Sequence, residues 1–152
     1  MKAYLKQDIA KKINKTVGAV QSYVDKKLVY PDVLPAQGRG FTRAYSQRNL
    51  LEFAIIAVLL DSNHNIQLET IRDILDKIRT DERLKNFFDN DEKTGLIAVY
   101  TYEAGNISPC KIINDWAKPE DKHPMIDDFV SPAEVNIRLD LVRAEAKNRI
   151  SR

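Results

Sequence analysis

The residues of this chain best suited to chemistry are hydrogen-bond donors and acceptors crowded into one short window. Lys15, Thr16, Gly18, Ala19, Gln21 and Ser22 fall within eight consecutive positions, and Arg39, Arg43 and Tyr45 follow. Gln21 carries an amide that donates and accepts at once, the pattern that pairs with adenine N6 and N7. Lys15, Thr16 and Ser22 suit phosphate oxygens, and Arg39 and Arg43 offer a guanidinium fork to the same acceptor. Gly18 and Ala19 permit close approach, and Ala19 could touch a thymine methyl. Such a set recognises a polyanion without turning over covalent bonds. With two histidines and one cysteine, no nucleophile–base pair is suggested. Gly38-Arg39-Gly40 is too short for a phosphate-cradling loop and does not lie between a strand and a helix. Neither an enzymatic activity nor a cofactor is expected.

Several of these residues have a plain structural alternative. Gln21 is as consistent with an exposed polar position as with base reading, and Arg43 could pair with a carboxylate. Tyr23 is expected in the core with its hydroxyl at the surface. Tyr45 is expected to pack under a hairpin and could lend its hydroxyl to a phosphate. His64 reads as a solvated turn residue, because no second ligand stands at metal spacing. Cys110 follows a proline and reads as a small hydrophobe, not as a sensor thiol.

The elements that must position these groups can be read from pattern. Tyr4 to Ile13 reads as a first helix, with Leu5, Ile9 and Ile13 on its buried side. Asn14-Lys15 makes the turn, and Thr16 stands where an N-cap belongs. Val17, Val20 and Val24 then recur at helical spacing, with Leu28 closing the apolar side. Behind this second helix a Pro-bounded hairpin is expected, with Asp32-Val33-Leu34 and residues 41–45 as strands and Arg39 at the glycine-rich tip. A helix followed by a basic hairpin is what a winged helix-turn-helix needs, the helix in a major groove and the wing on the neighbouring backbone.

Ala10, Val20-Gln21-Ser22-Tyr23, Leu28-Val29 and Phe41-Thr42-Arg43-Ala44-Tyr45-Ser46 resemble the DNA-binding domain of the MerR family of transcriptional regulators. The similarity continues through Leu50, Phe53, Ile56 and Leu59 to the run Leu68 to Leu75, roughly the first half of the chain. It implies a bacterial, homodimeric regulator that binds double-stranded DNA at a two-fold site. Three positions depart from the family pattern. Gln21 stands where Arg is usual, Asn14 where Gly is usual in the turn, and Lys27 where Gly usually precedes the Leu.

Charge supports a polyanion-binding end. Residues 1–50 carry ten Lys or Arg and three Asp or Glu, a net +7, while the remainder carries −5, within an overall +2. Hydrophobic content of 43% and charged content of 30% are those of an ordinary folded protein. No apolar run approaches the roughly 18 residues of a membrane span. The first residues turn polar at once, without the apolar core of a secretory leader. One cysteine excludes an internal disulfide and fits a reducing cytoplasm.

Residues 46–60 read as a third helix capped by Ser46, apolar almost all round and therefore central. Gln67 to Arg79 reads as a fourth, with Leu68, Ile71, Ile74, Leu75 and Ile78 inward. After a short helical continuation comes an acidic stretch, Asp89 to Gly95, that lacks the calcium-loop pattern. The character then changes. Leu96 to Tyr102 and Ile107 to Ile113 read as strands, Trp116 to Pro124 as a loop, and Val135 to Leu139 as a third strand. Ser131-Pro132-Ala133-Glu134 also reads as a helix capping box. Leu141 to Ile150 closes the chain as a helix. The expectation is an α+β protein, with a winged helix-turn-helix domain over residues 1–80 and a small antiparallel domain over 81–152. The second domain is expected to dimerise. An effector site lined by Tyr100, Tyr102 and Trp116 is the alternative, although strand aromatics are usually core. Two other functions stay open: a protein-binding adaptor, as some MerR-like proteins are, and an architectural or recombination factor of a mobile element.

Overall fold

A computed structural model describes residues 2–33, 43–62, 64–81, 84, 87, 95–103, 106–115, 125–130 and 133–152. The protein is α+β. The described elements run α1 (Lys6–Ile13), α2 (Val17–Asp25), α3 (Gln47–Asp61), α4 (Leu68–Thr80), β1 (Gly95–Glu103), β2 (Asn106–Ile107), β3 (Lys111–Asp115), β4 (Ile126–Val130), β5 (Ala133–Arg138) and α5 (Leu139–Ile150). They fall into two compact units, Met1–Asp61 with Glu145–Arg152, and Ser62–Ala144.

In the first unit α1 and α2 are joined by a tight turn. Asn14 takes a left-handed conformation (φ 56°, ψ 49°), and the Lys15 amide reaches back to the Ala10 carbonyl at 3.0 Å. That pairing satisfies an otherwise orphaned helix-end carbonyl, and Asn is among the few residues that accept the geometry readily. Thr16 opens α2, its hydroxyl accepting from the Ala19 amide at 3.0 Å. The end of α2 repeats the device. Lys27 lies at φ 60°, its amide donates to the Val24 carbonyl, and the Leu28 amide donates to the Tyr23 carbonyl, each at 2.9 Å. The position where glycine was noted as usual is therefore left-handed, and here a lysine bears that conformation.

The buried faces differ in part from expectation. Helix α1 starts at Lys6, so Leu5 precedes it and is exposed, while Ile9, Ala10 and Ile13 are buried. On α2 the inward residues are Val20 and Tyr23, followed by Leu28; Val17 is exposed at the first helical position and Val24 is half-buried. Helix α3 meets its expectation, with every residue from Asn49 to Leu59 buried. Phe53 packs edge-on against Tyr45 with ring centroids 5.3 Å apart.

The expected hairpin falls largely on residues 34–42, outside those described, and Arg39 with it. Of its first strand, Asp32 and Val33 form a bend instead. Tyr45, on the return, pairs with Tyr4: the two exchange amide-to-carbonyl hydrogen bonds at 2.9 Å each in an antiparallel bridge. The ends of the segment are joined by side chains. Buried Asn49 accepts from the Asp32 amide (3.1 Å) and the Ser46 amide (3.2 Å) and donates to the Tyr30 carbonyl (2.9 Å). Ser46 caps α3 by accepting from the Asn49 amide at 3.1 Å and donates to the Asp32 carboxylate at 2.9 Å.

In the second unit α4 turns Ile71, Ile74, Leu75 and Ile78 inward, and each is buried. The antiparallel sheet has the order β2-β1-β5-β4, with β3 also on β1. The expected strand Ile107 to Ile113 is broken. Tyr102 pairs with Ile107 and Val99 with Lys111, which leaves one residue extra on the returning chain. Pro109 has no N–H to continue the ladder, and the Ser108 hydroxyl steps in by accepting from the Thr101 amide at 2.8 Å. The capping-box alternative is overturned: Ala133–Arg138 is strand β5, paired along β1 from Ile97↔Arg138 to Thr101↔Glu134. Strand β4 pairs with β5 over a stretch where the sequence pattern predicts no strand. Tyr100 is buried, whereas nothing is described for the Tyr102 side chain or for Trp116, so the effector site falls partly outside the described residues. Residues 89–94 lie outside them as well.

Candidate nucleic-acid interface

Helix α2 presents Gly18 exposed and Ala19, Gln21 and Ser22 half-exposed. A Cβ added at Gly18 would meet only Thr16 Oγ1, at 3.8 Å, an ordinary contact. Packing therefore does not demand glycine here, and glycine weakens a helix relative to alanine. What it supplies is a flat place on the surface.

Gln21 is not free. Its Nε2 donates to Asp25 Oδ1 at 2.8 Å, and its Oε1 accepts from Lys6 Nζ at 3.4 Å. Asp25 in turn faces Arg43 Nη1 at 3.8 Å, an ion pair outside hydrogen-bond range. Lys6, Gln21, Asp25 and Arg43 thus form one row, from the start of α1 across α2 to the segment before α3. In the sequence Asp25 reads only as a residue off the apolar stripe of the second helix, and Lys6 carries no signal at all. The i,i+4 spacing of Gln21 and Asp25 is a readable helical pair, whereas Lys6 lies fifteen positions from Gln21 and gives no local signal.

Beside the row, the Tyr45 ring is fully buried. Burial pushes its phenol up from the ordinary tyrosine range, and the Asp25 charge adds to this, while the Arg43 charge and proximity pull it back. The guanidinium nonetheless stands outside bonding geometry: neither Arg43 Nη1 nor the Tyr45 hydroxyl has a hydrogen-bond partner among the described residues. Tyr23 is buried as expected, and its phenol is raised mainly by burial, with the Lys15 charge opposing and Asp61 adding.

Lys15 departs from the set. Its ammonium is committed to the Asp61 carboxylate at the end of α3, and Asp61 also takes Arg149 Nη1 at 2.8 Å. Burial works to raise the Asp61 carboxyl, but hydrogen bonds and charges from Lys15 and Arg149 outweigh it and hold its pKa below the usual carboxylate value. A neighbouring cleft of about 660 Å³ sets Lys11, Lys12 and Arg149 against Asp8, Asp61 and Glu145, and Lys12 also donates to the Ile150 carbonyl. Among the described residues, Thr16, Gly18, Ala19, Gln21 and Ser22 come together on α2 with Arg43 close by, while Lys15 is drawn into the Asp61 network and the Tyr45 hydroxyl, expected to reach a phosphate, is instead buried with its ring. His64 sits in an exposed turn, and no cluster among the described residues could hold a metal ion. No described helix is long and apolar enough to cross a membrane.

No protein family matches the chain, and no curated protein is similar to it.

Proposed function

We propose that the N-terminal unit binds duplex DNA with α2 in the major groove, and that the protein is a non-enzymatic, cytoplasmic transcriptional regulator of the MerR-like type, acting as a homodimer at a two-fold site. The observation that carries this reading is the outer face of α2. It offers a flat patch at Gly18 and Ala19, flanked by Thr16 and Ser22 hydroxyls, the Gln21 amide and the Arg43 guanidinium. That face belongs to the end of the chain whose net charge is +7 over residues 1–50. Hydroxyls and guanidinium would hold phosphates, and the amide would read a base edge. Arg43 already has a carboxylate within 3.8 Å, and a phosphate oxygen, approaching to bonding distance, would be the stronger partner.

A second reading has its own observation. Lys15 and Arg43 both face carboxylates within the unit, so part of the cationic surface is neutralised at home. This favours the protein-adaptor alternative, in which α2 would meet another protein. Selection of bound duplexes from a random library at two salt concentrations separates the two. A two-fold motif with half-sites spaced by whole helical turns supports the DNA reading. Weak binding that enriches no sequence and vanishes steeply with salt would reflect phosphate attraction alone, and the adaptor reading would take its place.

A further inference from the structure

We infer that Lys6 and Asp25 fix the direction in which the Gln21 amide faces, and so make it a reader of adenine; this rests on the DNA reading proposed above. A glutamine amide has two ends of opposite character, and either could point either way on a free helix surface. Here the two flanking groups remove the choice. A lysine ammonium only donates and an aspartate only accepts. Oε1 therefore faces Lys6 Nζ at 3.4 Å and Nε2 faces Asp25 Oδ1 at 2.8 Å. Turning the amide over would set N–H against ammonium and oxygen against carboxylate.

Each amide atom keeps capacity after these bonds. Nε2 has a second hydrogen and Oε1 a second acceptor site, and together they form one donor–acceptor edge. Adenine presents the matching pattern in the major groove, an N6 donor beside an N7 acceptor. Guanine presents two acceptors there, O6 and N7, and one of them would confront Oε1. The position of Asp25 adds a physical cue. It is the last residue of α2, where the helix dipole disfavours a carboxylate, and its contacts with Gln21 and Arg43 offset that placement. Lys6 and Asp25 are positioning residues, since they act on the base through Gln21.

The test is competition binding of base-substituted duplexes by the wild-type protein and by Gln21→Ala, Lys6→Ala, Asp25→Ala and Lys6→Arg. The wild type is expected to prefer adenine at one position by about 5- to 150-fold, the range of a good bidentate pair, and Gln21→Ala to erase that preference. Lys6→Ala and Asp25→Ala should each lower the adenine-to-guanine ratio there by at least about threefold and leave other positions alone. Lys6→Arg, still a pure donor, should retain it. Asp25→Ala should also tighten binding to every sequence, because a carboxylate leaves a phosphate-facing surface. If Gln21→Ala erases the preference while Lys6→Ala and Asp25→Ala shift affinity uniformly with the ratio intact, this inference falls and the DNA reading stands. If the wild type prefers no base anywhere, both fall together. The Asp25 side chain is 60% exposed, so its removal leaves the core untouched.

Discussion

Replacing Gly18 by alanine should move stability and DNA binding in opposite directions, which a misfolded variant cannot do. The residue is the second of α2, and a Cβ there finds only the Thr16 hydroxyl at 3.8 Å. Alanine is worth about 0.5–1 kcal/mol over glycine inside a helix, and a first-turn position takes the lower end, about 0.5 kcal/mol. For a chain of 152 residues, about 1 kcal/mol moves the Tm by roughly 2–4 °C, so the expected rise is about 1–2 °C. If the flat patch at Gly18 admits a DNA backbone, the added methyl holds that backbone off. A loss of about tenfold in affinity, or about 1.4 kcal/mol, is expected for all sequences alike. Thermal unfolding followed by circular dichroism gives the first quantity, and fluorescence anisotropy with a selected duplex gives the second. A lowered Tm would refute the claim that packing leaves the site open. An unchanged affinity, with the Tm raised as expected, would refute the close approach.

Three further outcomes follow from the fold. Asn49→Ala removes one donor and two acceptor contacts to backbone at Tyr30, Asp32 and Ser46, and should cost roughly 2–4 kcal/mol at about 0.5–1.5 kcal/mol per bond plus the penalty for groups left unpaired; a urea midpoint within error of wild type would contradict it. Lys27→Gly relieves a left-handed lysine at φ 60° and should stabilise by about 1 kcal/mol, read from the same urea curves, with a loss of stability counting against the strain. Burial, with the Asp73 charge adding and Lys77 opposing, pushes the Cys110 thiol up to about 12. The folded protein should therefore resist a thiol reagent at pH 8 and react only once urea exposes the thiol. Because the folded state holds this proton more tightly, the associated stability is intact below the unfolded thiol pKa, about 8.5, and is lost as pH rises from there toward 12. Rapid labelling of native protein at pH 8 would contradict the burial.

Much of the fold was legible because long elements repeat their signal. Helix α3 is apolar round its circumference and α4 carries a stripe over more than three turns, so neither depended on a single residue. The strand β1 announced itself by Val, Ile and Tyr in a short run. What escaped were features made by one or two residues acting at a distance. The Tyr4–Tyr45 bridge is a single pair with no periodicity. Strand β4 carries Asp127-Asp128 at its middle, which lowers β propensity, yet it lies at the end of the strand order, where charged residues are tolerated. The capping box at residues 131–134 lost to the ladder along β1, a tertiary gain that outweighs a local helix start.

The candidate interface shows the same division, with a consequence for its chemistry. Residue types and helical spacing brought Thr16, Gly18, Ala19, Gln21 and Ser22 onto one helix, and those are local facts. Whether a charge on that surface is available depends on partners remote in sequence, and there local reading gave no purchase. Lys15 and Arg43 looked alike as phosphate ligands. Lys15 meets Asp61 in a network that also holds Arg149, and the two cations together keep the Asp61 carboxyl below its usual range. Arg43 faces its carboxylate from 3.8 Å, with one guanidinium nitrogen left without a hydrogen bond among the described residues. A phosphate would have to break hydrogen bonds to recruit the first, whereas at the second Nη1 is itself buried and a phosphate would meet the exposed part of the side chain, which is 30% accessible. Neutralising each in turn and measuring the salt dependence of duplex binding turns this contrast into numbers. Arg43→Ala should reduce the slope by about one phosphate contact, and Lys15→Ala should leave it unchanged while lowering stability. Equal slopes for the two variants would show that the ion pairs seen in the free protein do not govern which cations meet the DNA.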